Sequence, residues 1–175
     1  SEALAKAATA LSGRIAPESR MLFTEALLRA IEAGHRGGYA KRHARTHWIL
    51  AYLDIGGDPA PLSDLLNRMQ RKAIEARDAD EMGMYPFHIQ YLADPKKVKD
   101  GSWPKQETIA LLIDTWFALE ATDDWHRKVI LDLLLQLHPD GVGRLVAALS
   151  EKLRTVQDPG GIQNLGPALR FLAGD

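Results

Sequence analysis

The chain has 175 residues, of which 25 are Leu and 24 are Ala, against 10 Ile, 7 Thr and 5 Val. Helix-favouring residues dominate, and the hydrophobic and charged fractions, 46% and 26%, are those of an ordinary globular protein. The formal net charge of −1 excludes a global field that attracts nucleic acid or an anionic membrane, and the lack of cysteine excludes disulfides, thiolate nucleophiles and cysteine-ligated metals.

The amino-terminal half of the chain reads as a series of helices. Apolar residues recur there with a period close to 3.6, which predicts helices over 2–12, 18–33, 39–55 and 61–76. Glycines end the second and third of these helices, and Asp58 is placed to cap the fourth. The first helix is rich in alanine and is the weakest of the four.

The middle of the chain is less regular. Residues 85–92 carry large apolar side chains and predict either a short helix that begins at Pro86 or an extended segment. Residues 94–104 contain two prolines, a glycine and three lysines without an apolar period, which is typical of a loop. We therefore expect one helical domain over 1–175, in which 94–104 is the candidate boundary between subdomains.

The carboxyl-terminal part returns to helical spacing. It predicts helices over 105–120, 125–137, 142–156 and 162–172, and no segment of the chain reads as a convincing strand. The predicted class is therefore all-α. The apolar runs fall short of the about 20 residues that a membrane span requires, so we expect no membrane association. The chain begins with Ser and lacks a secretory signal pattern, so we expect a cytoplasmic protein, and the sequence leaves open whether it is part of a longer one.

The spacing of the predicted helices suggests an architecture. Helical hairpins begin near residues 18, 61, 105 and 141, and a pitch of about 40 residues is that of helix-pair repeats of the HEAT and armadillo type. The stretch 122–153 resembles one such repeat. We therefore predict a short solenoid of stacked antiparallel hairpins. A compact helical bundle explains the same spacing and is the alternative.

The segment 82–92 is richer in large side chains than a surface connection requires. Aromatic residues anchor interfaces because they bury a large area at a low entropic cost. On this ground four residues are the candidate partner-binding set: Tyr85, Phe87, Tyr91 and Trp103. The alternative is that the segment covers the core and connects the two halves of the chain.

A short basic stretch is the clearest local charge feature. Between residues 29 and 47 there are five Lys or Arg residues and one acid, and glycines at 34, 37 and 38 leave N–H groups available near the start of a helix. The candidate anion- or nucleic-acid-binding residues are Arg36, Lys41, Arg42 and Arg45. The alternative is that these side chains flank a buried stripe and are neutralised by acids elsewhere in the fold.

Two histidines offer a weaker chemical possibility. His43 and His47 are four residues apart, which places both imidazoles on one face of a helix, and Glu32 lies nearby in the sequence. No third ligand is visible in the pattern, so we expect no metal and no other cofactor. A helical metal-binding protein or enzyme remains an alternative.

The chain carries none of the usual catalytic signatures, such as a nucleophile elbow, a P-loop or a dinucleotide-type glycine pattern. We therefore predict a non-enzymatic protein–protein interaction module, a scaffold or adaptor whose grooves between hairpins bind a protein or a peptide. Nucleic-acid or phosphate binding through residues 36–45 is the second interpretation. The sequence leaves the oligomeric state open.

Overall fold

Seven helices follow one another in the computed structural model, which describes residues 14–34, 39–99, 101–119 and 123–155, together with positions 3, 7 and 10. They are α1 (Pro17–Ala33), α2 (Tyr39–Asp54), α3 (Pro59–Ala76), α4 (Ala79–Ala93), α5 (Gln106–Ala118), α6 (Asp124–Leu137) and α7 (Gly141–Thr155). These described ranges contain no strand, so the all-α prediction is confirmed. The predicted helix over 162–172 lies outside them, as does 2–12 except for positions 3, 7 and 10, which are helical.

Side-chain caps explain where several helices begin. The Asp58 carboxylate accepts a hydrogen bond of 3.0 Å from the backbone N–H of Ala60, and the Asp78 carboxylate accepts one of 3.0 Å from the N–H of Glu81. Both carboxylates satisfy donors that the first turn of a helix leaves without a partner. The helices α3 and α4 therefore begin at positions that the local sequence encodes.

The helix α4 corrects one boundary of the sequence analysis. It begins at Ala79 and not at Pro86, which lies in its interior. The Asp78 cap and the buried stripe of Met82, Tyr85 and Ile89 stabilise a helix through this point, although Pro86 lacks the N–H that a regular helix uses there. The acidic residues Asp80 and Glu81 thus lie in the first turn of this helix.

The helices pack in two ways. Neighbours in the chain form pairs, with α1 on α2, α3 on α4, α5 on α6 and α6 on α7. Helices separated by one element also pack, with α1 on α3, α3 on α5, α5 on α7, α2 on α4 and α4 on α6. The result is a compact helical bundle.

The core is one hydrophobic cluster that runs through the bundle. It contains buried side chains from α1 to α7, and Val98 and Trp103 belong to it although they lie between α4 and α5. The loop over 94–104 is therefore attached to the same core as the helices on either side of it. None of the helices in the described part of the chain is long and apolar enough to cross a membrane.

Candidate binding cleft

A cleft of about 320 Å³ lies under the loop that joins α4 to α5. Three segments meet there: the end of α4 with the loop after it, the start of α5, and the end of α6 with Pro139. Its volume is at the lower end of the range of about 300–1,000 Å³ that is usual for ligand sites. We call it the Trp103 cleft.

The floor of the Trp103 cleft is apolar. It is formed by Leu92, Val98, Trp103 and Leu137, which are all buried in the core. Gln136 closes one side, because its amide nitrogen donates a hydrogen bond of 3.0 Å to the Ala93 carbonyl and so links the ends of α6 and α4. The floor is thus held by the core itself, and an apolar group seated on it would lose contact with water.

The rim of the Trp103 cleft is positively charged. Lys99 and Lys105 line it, and no acidic side chain does so among the described residues. The neighbouring Lys97 does not line the cleft, and its ammonium nitrogen lies 3.0 Å from an Asp54 carboxylate oxygen. The cleft therefore combines an apolar floor with cations at its mouth, which suits a group that is apolar at one end and anionic at the other.

Two of the four residues predicted to bind a partner are buried. Tyr85 and Trp103 are 3% and 5% exposed, and the Tyr85 hydroxyl donates a hydrogen bond of 2.7 Å to the side-chain oxygen of Asn67. Tyr91 is half-buried against the core. Most of this segment thus covers the core, which is the alternative stated above, while Trp103 also forms part of the cleft floor.

Phe87, the fourth residue predicted to bind a partner, contacts two other rings near the surface. Its ring stacks on Trp125 with centroids 4.9 Å apart, and the His126 ring contacts Phe87 edge-on at 5.6 Å. Trp125 is 61% exposed. The local sequence pattern around Trp125 indicates only the start of a helix, because it contains no sign that α4 and α6 bring these rings together.

The structure changes the interpretation of the basic stretch. Arg45 is 1% exposed and forms an ion pair with Glu81, so its guanidinium is not available to a phosphate at the surface. Arg36 lies outside the described residues, as do the side chains of Lys41 and Arg42, whose backbone lies in α2. For Arg45, the structure agrees with the alternative that an acid elsewhere in the fold neutralises it.

The described residues give no support to the alternative that this is a helical metal-binding protein. They contain no group of three or more His, Asp or Glu side chains able to hold a metal ion. Glu32 is exposed on α1 and His47 is half-buried on α2, while the His43 side chain lies outside the described part.

The centre of the bundle contains a polar group that the sequence analysis missed. Buried polar side chains of α2, α3 and α4 face one another there: Arg45, Gln70, Glu81, Tyr85 and His88. Burial lowers the pKa of His88 to about 3, and the charge of Arg45 acts in the same direction, so His88 is neutral at physiological pH. Burial also raises the pKa of Tyr85 well above its usual value. All five side chains are buried in the interior of the bundle.

Comparison of the chain with models of protein families, with curated proteins and with solved structures returned no match.

Proposed function

We propose that this protein is a non-enzymatic interaction module, and that its Trp103 cleft binds a segment of a partner protein in which a large apolar side chain is followed closely by Asp or Glu. The observation that carries the proposal is the pairing of an apolar floor with two lysines at the rim of the cleft. The apolar side chain would cover the floor, and the carboxylate would meet Lys99 and Lys105.

The helix packing supports a module built from stacked hairpins. The first helix of each hairpin packs on the first helix of the next one, which gives the contacts of α1 with α3, α3 with α5 and α5 with α7. The second helices pack in the same way, α2 with α4 and α4 with α6. This alternation is the pattern expected of helix-pair repeats, in which each hairpin contacts mainly its neighbours. Stacked hairpins leave grooves between successive units, and such grooves are the usual binding surfaces of these folds.

The position of the Trp103 cleft agrees with this architecture. It lies where the hairpin of α3 and α4 meets the hairpin of α5 and α6, under the loop that joins them. The side chains of the cleft floor are buried in the core, which fixes the position of the floor. A partner segment therefore meets a preformed site, which reduces the entropic cost of binding.

A displayed library of short random peptides tests the proposal without knowledge of the natural partner. Selection on the intact chain is expected to enrich peptides that combine a large apolar residue with Asp or Glu. Lys99→Glu is expected to weaken their binding by about tenfold, because an attraction becomes a repulsion at the rim. Lys96→Glu is the matched control, since it makes the same charge change in the same exposed loop but does not line the cleft.

Three outcomes contradict the proposal. The first is a selection that enriches no sequence pattern. The second is enrichment of basic peptides, which would place the site at an acidic surface. The third is an equal loss of affinity in Lys96→Glu and Lys99→Glu, which would show a general charge effect without a defined site.

A further inference from the structure

A second and much smaller cavity, of about 10 Å³, lies between α2, α3 and α4 in the centre of the bundle. Two of its polar neighbours already have partners inside the protein. The Tyr85 hydroxyl donates to Asn67, and the Gln70 amide nitrogen donates to the Thr115 hydroxyl at 2.7 Å. These two bonds fix the side of the cavity that α3 and α4 form.

Three buried nitrogen atoms of Arg45 and His88 at this cavity have no hydrogen-bond partner among the described residues. One guanidinium nitrogen of Arg45, Nη1, donates to Glu81, but its Nε and Nη2 atoms are buried without a hydrogen bond. The Nε2 atom of His88 is also buried without a hydrogen bond. Leaving such groups unsatisfied is costly, so native interiors rarely contain several of them side by side.

We infer that this cavity is a binding site for one internal water molecule, which accepts hydrogen bonds from Arg45 and donates one to His88 Nε2. The water would thereby bridge α2 and α4 beside the ion pair of Arg45 and Glu81. Donation to Nε2 requires the neutral tautomer of His88 that carries its proton on Nδ1.

The size and charge of the site select water over other small ligands. A cavity of about 10 Å³ is near the smallest that holds a water molecule, and a buried water makes about three hydrogen bonds. The guanidinium of Arg45 already faces the carboxylate of Glu81, so no further anion is needed to balance it. An inorganic anion or a metabolite is also larger than this space.

Magnetic relaxation dispersion of water nuclei counts long-lived internal waters in the intact protein and tests the inference. His88→Leu removes the acceptor and is expected to lower the count by one, whereas His47→Leu, on a half-buried histidine that does not line the cavity, is expected to leave it unchanged. An equal count in the wild type and in His88→Leu would overturn the inference.

A high-resolution crystal structure of the wild-type protein is a second test, and it does not require that the His88→Leu variant folds. It is expected to show one ordered water within hydrogen-bond distance of Arg45 and His88 Nε2. A collapsed or dry cavity, or density too large for water, would contradict the inference.

Discussion

Protonation of His88 should make the fold sensitive to mild acid. The pKa of His88 is lowered from 6.5 to about 3 by burial and by Arg45, whereas the unfolded chain keeps the ordinary value. The unfolded state therefore binds a proton first as the pH falls, so stability falls with it. The linkage relation applied to these two pKa values gives a loss of about 2 kcal/mol in the free energy of unfolding between about pH 7.5 and about pH 5.

Urea unfolding of the wild type and of His88→Leu at a series of pH values measures this effect. The charged and titratable groups that line the same cavity, Arg45, Glu81 and Tyr85, are common to both proteins. The variant is expected to lose about 2 kcal/mol less than the wild type over the same pH interval, and His47→Leu is the matched control. The same pH dependence in the wild type and in His88→Leu would refute the claim that the fold holds a neutral imidazole at this position.

Two further predictions concern the packing of the bundle. Arg45→Met leaves Glu81 buried without its arginine and is expected to lower the free energy of unfolding by about 3–5 kcal/mol in urea unfolding. The double variant with Glu81→Leu is expected to recover most of that loss. A double variant as unstable as the single one would contradict the pairing. Gly141→Ala is expected to cost about 3 kcal/mol, because a Cβ atom there would clash with the backbone oxygen of Leu134. Gly143→Ala, whose Cβ would meet only a flexible side chain, should cost less in thermal unfolding, and equal costs would count against this reasoning.

The helices were predictable because their signals are local. The stripe of α3 is an example, since the sequence spacing selects Leu62, Leu65, Leu66, Met69, Ala73 and Ala76, and all of these except the exposed Ala76 are buried. The cap at Asp58 was predictable in the same way, because an N-cap side chain bonds to an N–H only two residues further on.

The polar side of α3 was not predictable from these signals. Ser63, Asn67 and Gln70 are as deeply buried as the leucines, although their residue types are usual at a surface. Their burial depends on hydrogen-bonding partners that are distant in the sequence, such as Thr115, which is 45 residues from Gln70. The spacing of apolar residues along one helix does not indicate which residue of another helix will form a hydrogen bond with it.

The same limit applies to charge and to the candidate site. The local sum over residues 29–47 is basic, but Arg45 is neutralised by Glu81, which lies 36 residues further along the chain. Trp103 was singled out as a large side chain in a polar loop, yet the cleft beside it exists because α6 ends at the same place as α4. Sequence reasoning could therefore find the residue but not the site that it forms.

The most direct test of the proposed function is to map the binding of a selected peptide by the amide chemical shifts of the uniformly labelled protein. The shifts that change are expected to belong to residues that line the Trp103 cleft, within 92–99, 101–105 and 136–139, and Lys99→Glu is expected to reduce these changes at the same peptide concentration. Changes confined to another surface, such as the stacked rings of Phe87 and Trp125, would contradict the proposal.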